Sequence, residues 1–307
     1  MEGGINLSIN LDKMVTESRN ERTMHLDEMN TLEVVTVMNE EDRTIPDAIS
    51  LHLNEIATVA QWASDSMQNN GHVYYMGAGT SGRLGVLDSV ECPPTFGVDY
   101  DLVVGLIAGG PNAFVKAKEG AEDSKDLGRQ ALIEHNLSKD DLVIGLAASG
   151  RTPYVIGGLE YANEIGCKTA SISCNTNSEI GNVANLAIDV IVGPEVLTGS
   201  TRLKAGTAQK MILNMISTAA MVNCGKAYQN LMVDVKQNNE KLCSRALNIV
   251  MAATDADRDT AKQKLKEANG SCKKAIVMIL AECDSIQADE LLAKAKGHVR
   301  KAIEKGV

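Results

Sequence analysis

The chain has 307 residues, 44% of them hydrophobic, and a formal net charge of -10 at pH 7, enough for one substantial core plus one or two smaller helical additions. With an acidic balance and 3% aromatic residues, it lacks the basic tracks and stacking surfaces of a nucleic-acid groove, so a bound phosphate must be held by local features. Seven scattered cysteines without C-x-x-C spacing and five dispersed histidines argue against disulfides, zinc or a Cys–His pair, leaving carboxylates, hydroxyls and backbone amides to act without metal or cofactor.

Met1 to Asn10 shows no basic region followed by an apolar block, and no apolar run approaches membrane-spanning length, so a cytoplasmic location with no membrane partner is expected. From Asp27 to Met67 the pattern predicts helices, with Leu32, Val35 and Met38 on one face, Ile49, Leu53, Ile56 and Ala60 on another, and Thr44-Ile45-Pro46 separating the two. The period then changes. Short apolar runs at 72–76, 101–107, 141–147, 168–173 and 187–192 read as strands, with helices between them at 127–135 and at 153–165, where Thr152 is a candidate cap and Pro153 suits the first turn. That alternation predicts an α/β fold, a doubly wound parallel sheet with helices on both faces. After Arg202 the chain reads as helical to its end, broken near Asp255, Gly270 and Asp284, with Leu247, Val250, Ile276, Ile279 and Leu280 as the core of a three- or four-helix module. The expected organisation is an N-terminal helical segment over 1–60, the sheet domain over 61–225 and a small all-helical module over 226–307.

The first strand runs into Gly77-Ala78-Gly79-Thr80-Ser81-Gly82, a literal G-x-G-x-x-G. A dinucleotide site also wants an acid at the end of the next strand, but that strand ends Ile107-Ala108-Gly109-Gly110; a P-loop wants lysine after its last glycine, but Arg83 stands there. Thr80 and Ser81 sit where a helix begins and free amides point outward, which suits a phosphate monoester, or else ordinary N-capping. A second turn of the same kind, Ala147-Ala148-Ser149-Gly150-Arg151-Thr152, follows the third strand. In a doubly wound sheet the two turns lie along one carboxyl edge and can converge on one ligand. Glu195, Ser200, Thr201 and Lys204 follow the fifth strand at the same edge, where they either complete the pocket or cap the long helix.

A strand ending in Gly-x-Gly-Thr-Ser, with a later one ending in Ser-Gly-x-Thr, resembles the SIS (sugar isomerase) phosphosugar-binding domains. The stretches Gly77 to Gly97, Thr16 to Asn20, Gly105 to Gly110, Glu119 to Asp123 and Gly193 to Arg202 further resemble the bacterial N-acetylmuramic acid 6-phosphate etherases over nearly the whole chain, with departures at Tyr100-Asp101 and Pro111 to Val115. The resemblance implies a cytoplasmic homodimer that removes D-lactate from N-acetylmuramic acid 6-phosphate in cell-wall recycling. It also implies that Glu91 is the proton donor and Glu122 a second active-site residue. An elimination across C2 and C3 needs one base and one acid, and assigning Glu122 to C2 and Glu91 to the ether oxygen satisfies it.

The position of Glu91 poses a geometric problem. Pro93-Pro94 predict that the helix opened at Ser81 ends around Glu91, whose carboxyl the negative helix terminus would keep protonated. Yet ten helical residues separate Glu91 from Ser81 by roughly 15 Å, so either Gly82 and Gly85 bend the helix or a second chain matters. By the residues alone, Glu91, Glu119, Glu122 and Asp123 also read as solvated surface. Two other functions share the fold: a non-catalytic phosphosugar sensor, like the glucokinase regulatory proteins, and an aldose–ketose phosphate isomerase.

Overall fold

The structure, a computed structural model, describes residues 14–116, 118–235 and 240–304; the Met1–Asn10 stretch lies outside them. Three 3-10 turns (Val15–Glu17, Glu21–Thr23, Leu26–Glu28) lead into α1 (Thr31–Asp42), α2 (Thr44–Ser50) and α3 (Leu53–Gln68). Asn30 starts α1 with a capping box, accepting from the Leu32 and Glu33 amides while the Glu33 carboxylate accepts from its own. Thr44-Ile45-Pro46, expected to separate two helices, instead starts α2, where Pro46 falls in a first turn whose amides have no intrahelical partner. The expected apolar face of α1 is also corrected. Leu32 is 72% exposed and Val35 51%, whereas Val37 and Glu41 are buried, because Glu41 is turned inward to meet Lys204. In α2 and α3, Ile49, Ile56 and Ala60 are buried as expected, but Leu53 is exposed.

Strand and helix then alternate: β1 (Val73–Gly77), α4 (Gly79–Phe96), β2 (Val103–Ile107), α5 (Lys125–Glu134), β3 (Leu142–Leu146), α6 (Pro153–Ile165), β4 (Lys168–Ser173), α7 (Glu179–Val183), β5 (Leu186–Asp189) and α8 (Lys204–Asn223). All five strands pair in parallel in the order β2-β1-β3-β4-β5. β5 ends at Asp189 instead of reaching 192. Successive side chains feed opposite faces of the sheet. Tyr75, Leu142 and Ile144 join Ile45, Val59, Ile212 and Ile216 in one core, while Tyr74, Met76 and Val143 join Leu132, Val155 and Leu159 in the other. Being covered on both sides, β1 and β3 are continuous apolar runs without alternation.

α4 departs from expectation at its end. It continues through Pro93 and Pro94 to Phe96 and closes on Gly97, in the left-handed conformation, whose amide donates to the Pro93 carbonyl. The prolines fall in the last turn and a half, so only the amides that would reach the Ser89 and Val90 carbonyls are lost. Gly82 and Gly85 leave α4 unbroken. A β-carbon on Gly82 would lie 2.6 Å from the Gly77 carbonyl oxygen and one on Gly85 2.9 Å from the Tyr75 β-carbon, so both glycines serve close packing of α4 on β1.

Beyond α8 the expectation that the chain is all helical fails at an antiparallel hairpin, β6 (Ala227–Tyr228) and β7 (Leu231–Met232), turned by Gln229 at φ 53°. Then follow α9 (Glu240–Thr254), α10 (Arg258–Glu267), α11 (Cys272–Leu280), α12 (Ser285–Lys294) and α13 (Val299–Glu304), five helices among the described residues against the three or four expected. The breaks fall as read: Asp255 and Gly270 have positive φ, and Asp284 caps α12. Leu247, Val250 and Ile276 form a separate core against which Ile279 and Leu280 are partly buried.

Candidate active site

The strand order reverses between β1, whose connection leads outward to β2, and β3, which lies on its other side. In an open parallel sheet this reversal leaves a crevice at the carboxyl ends of the two strands. Gly77 and Leu146 pair at their last register positions, so the turns carrying Gly79-Thr80-Ser81 and Ser149 leave the sheet as neighbours. Gly79 takes φ 52°, which a side chain would resist, at the start of α4, where the first amides have no intrahelical partner and no side chain caps them. Neither Thr80 nor Ser81 caps the helix: Ala78 is the N-cap, Thr80 packs its methyl near Gly206, and the Ser81 hydroxyl donates to Gln209 Oε1 at 2.8 Å.

Gln209 is a residue that sequence reading missed. It is fully buried, and its Nε2 has no hydrogen-bond partner among the described residues. Exchanging the ends of the amide would let it donate to Ser81, freeing the serine proton for an oxyanion. Its only sequence signal is a polar side chain among the buried positions Ala205, Ala208 and Ile212 of α8.

The Ser149 turn is held from behind. Asn175 donates to the Ala148 carbonyl at 3.2 Å and the Ser149 carbonyl at 3.3 Å, and also to the Thr16 hydroxyl at 3.0 Å, while accepting from the Thr16 amide. Thr152 occupies the N-cap of α6, with Pro153 at the first turn, but its side chain makes no capping bond. The reason is local: the Tyr154 amide donates instead to the Glu122 carbonyl at 3.0 Å. That bond places the Glu122 segment against the second turn.

The exposed Glu122 lines a pocket of about 140 Å³ with Ala78, Gly79, Arg83, Lys118 and Glu119, so the first turn and Glu122 share one cavity. Arg83 donates to the Phe114 carbonyl at 2.7 Å and the Ala113 carbonyl at 3.0 Å, fastening Pro111–Phe114 beside the pocket.

Glu91 is not brought there. On an unbroken α4 it stays about 15 Å along the axis from Ser81, in a different cavity of about 280 Å³ between α4 and α8. One turn before it, Asp88 is buried, accepting from Tyr75, Asn214 and Ser217 at 3.0, 2.7 and 3.1 Å. Burial raises its carboxyl above the usual range, and these hydrogen bonds offset only part of the rise.

Glu195 is 1% exposed, and its two carboxylate oxygens accept from the Lys204 and Ala205 amides at 2.9 and 3.0 Å, clamping the start of α8. Burial raises its carboxyl, against these two bonds. Ser200 is half-buried in the preceding turn, accepting from the Leu203 amide and donating its own to Leu197. Lys204 is buried and pairs with Glu41 at 2.6 Å; Asn20 and Arg22 also donate to Glu41, both at 2.9 Å.

Burial pushes the Glu41 carboxyl up, but Lys204, Arg22 and Asn20 together bring it below its ordinary 4.5. A depressed carboxyl contributes stability above its unfolded value and loses it as pH falls through the folded one. Lys204→Met should therefore lower unfolding free energy by about 3 kcal/mol at neutral pH and flatten the acid side of the stability curve, as read by urea titration from pH 3 to 7.

A parallel sheet with hydroxyl-bearing turns meeting at its switch point defines a phosphosugar-binding domain of the SIS type. Residues 129–219 match the SIS domain, and residues 55–163 match the N-terminal SIS domain of glucokinase regulatory protein. Beyond these, the chain is 55% identical over 297 residues to an N-acetylmuramic acid 6-phosphate etherase of Clostridium botulinum, covering 97% of this chain and 98% of that protein. It is 56% identical over 296 residues to one of Pectobacterium atrosepticum (96% and 98% covered), and 55% identical over 293 residues to one of Halalkalibacterium halodurans (95% and 98%). The chain belongs to the N-acetylmuramic acid 6-phosphate etherase family, whose members are carbon–oxygen lyases.

Proposed function

We propose that this chain cleaves the D-lactyl ether of N-acetylmuramic acid 6-phosphate, giving N-acetylglucosamine 6-phosphate and D-lactate for cell-wall sugar recycling in the cytoplasm. The observation that carries this reading is likeness to the etherases from end to end, with Glu122 beside the Gly79 turn in the crevice that the fold provides. The 6-phosphate sits on Gly79, Thr80, Ser81, Ser149 and Thr152, with Ser200 completing that edge and Glu195 acting from behind it, by holding the start of α8. Ring opening exposes the C1 aldehyde, which acidifies the C2 proton. Glu122 removes that proton, the C3–O bond breaks, and Glu91 protonates the departing lactate oxygen. Water then adds across the resulting double bond.

Because Glu91 and Glu122 lie in separate cavities of one chain, the working unit is a homodimer in which the partner supplies Glu91. Only a handful of single bonds join the phosphorus to the ether oxygen, too few to span three turns of α4. Leu87 and Val90, exposed on α4 beside Glu91, suit a helix face covered by a second copy.

Incubating the protein with N-acetylmuramic acid 6-phosphate and assaying D-lactate tests the reading; binding without release would sink it. That outcome would favour a phosphosugar sensor, the reading to which the match of residues 55–163 also lends itself. Ser81→Ala and Ser149→Ala should each weaken the phosphorylated sugar about 10- to 100-fold. Calorimetry on the phosphorylated and unphosphorylated sugars checks this, and equal losses on both would remove the hydroxyls from the phosphate.

A further inference from the structure

The cavity between α4 and α8 that holds Glu91 also holds a cation that the steps above leave without a task. Its walls are apolar at Leu84, Leu87 and Leu213, and its polar groups are Glu91, Asp88, Asn214 and Lys210. Asn214 is already spent on Asp88 at 2.7 Å, and both Asp88 oxygens are taken by Tyr75, Asn214 and Ser217. Lys210 is different. It is exposed, and none of the ion pairs among the described residues engages it. Its charge is nevertheless felt in the cavity, where it counters part of the rise that burial imposes on Asp88.

One free ammonium, one free carboxyl and three leucines make a receptor for a small monoanion with an apolar substituent. A phosphate dianion fits poorly here, because its second charge would meet no second cation in this cavity and would lie beside Asp88. The lactyl group fits on each count. The carbon bonded to its ether oxygen carries both a carboxylate and a methyl group, and that oxygen is the atom to which Glu91 must deliver a proton. A carboxylate held by Lys210 on α8 therefore presents the ether oxygen to Glu91 on the facing helix.

We propose that Lys210 binds the carboxylate of the lactyl group, with the leucines of the same cavity receiving its methyl, and so selects the acidic ether and orients it for Glu91. This rests on the etherase reading above. It makes Lys210 a specificity-determining residue, and it makes the cavity the place where D-lactate is last held.

The test compares N-acetylmuramic acid 6-phosphate with its lactamide analogue, of the same shape but uncharged, on the full-length protein and on Lys210→Met and Lys210→Arg. Taking the ratio of kcat/KM between the two substrates cancels their intrinsic difference in reactivity. From the unsubstituted protein to Lys210→Met, the preference for the acid should fall about 10- to 100-fold, the size of one charge-assisted contact. Lys210→Arg should keep most of it, and inhibition by added D-lactate should weaken in Lys210→Met. Equal losses on both substrates, or an unchanged preference, would overturn the assignment. Failure of the etherase reading looks different: the unsubstituted protein would release neither lactate nor lactamide from sugars that bind, and the role of Lys210 would fall with it.

Discussion

Replacing Glu91 by alanine is expected to cut lactate release about 10²- to 10⁴-fold while the substrate's C2 proton still exchanges with deuterated solvent. The two steps draw on different carboxylates. In the proposed mechanism, proton removal at C2 needs the open-chain aldehyde, the phosphate anchored at the Ser81 and Ser149 turns, and Glu122; none of these is on the far part of α4. Loss of the ether oxygen needs an acid, and without one the carbanion can only recapture a proton from solvent. Glu122→Ala should abolish both exchange and release. Proton NMR in deuterated buffer follows exchange, and a lactate assay follows release. If Glu91→Ala also stops exchange while Glu122→Ala retains it, the roles are reversed.

Mixing the two inactive proteins, Glu91→Ala and Glu122→Ala, and allowing subunits to redistribute should restore about a quarter of full activity. Random pairing makes half of the dimers mixed. Each mixed dimer carries one site with both glutamates and one with neither, if Glu91 reaches across. The expectation follows from α4 running without a break from Gly79 to Phe96: the ten residues from Ser81 to Glu91 hold the two about 15 Å apart along the axis. Recovery of activity on mixing, measured after mild denaturation and joint refolding, checks the prediction. An absence of recovery with mixed dimers present would place both glutamates in the site of one chain.

What the sequence made legible followed from local periodicity. The buried strands β1 and β3, the helix beginning at Pro153 and the breaks at Asp255, Gly270 and Asp284 are each set by neighbours close in the chain. Misreadings arose where distant partners decide. Leu32 and Val35 have the spacing of a core face, but α1 is rotated by a charge, Glu41 seeking Lys204, that no local window contains. Pro93-Pro94 read as a helix stop because proline removes amides, yet at the end of a helix few amides are lost.

The same division holds at the site. The hydroxyl turns were visible because strand, glycine and hydroxyl are contiguous. Glu195 reads as a candidate ligand from its place after the fifth strand, whereas the structure spends both its oxygens on the start of α8. Gln209 left only a polar side chain among buried positions, and nothing near it in sequence reveals that Ser81 lies opposite. Glu91 and Glu122 were singled out by resemblance; the distance from Glu91 to the first turn was already a problem in the sequence, and an α4 unbroken from Gly79 to Phe96 keeps it.

The contacts of Thr16 with Asn175 and of Glu41 with Lys204 join residues 159 and 163 positions apart. During synthesis, the segment that braces the Ser149 turn leaves the ribosome long before either partner exists. At ordinary elongation rates that interval is on the order of 10–30 s, throughout which Glu41 faces water without Lys204. The sheet can begin to pair in that time, but the crevice at its carboxyl edge acquires its backing only after residue 204 has emerged, so the proposed phosphate site is among the last parts of the sheet domain to become rigid.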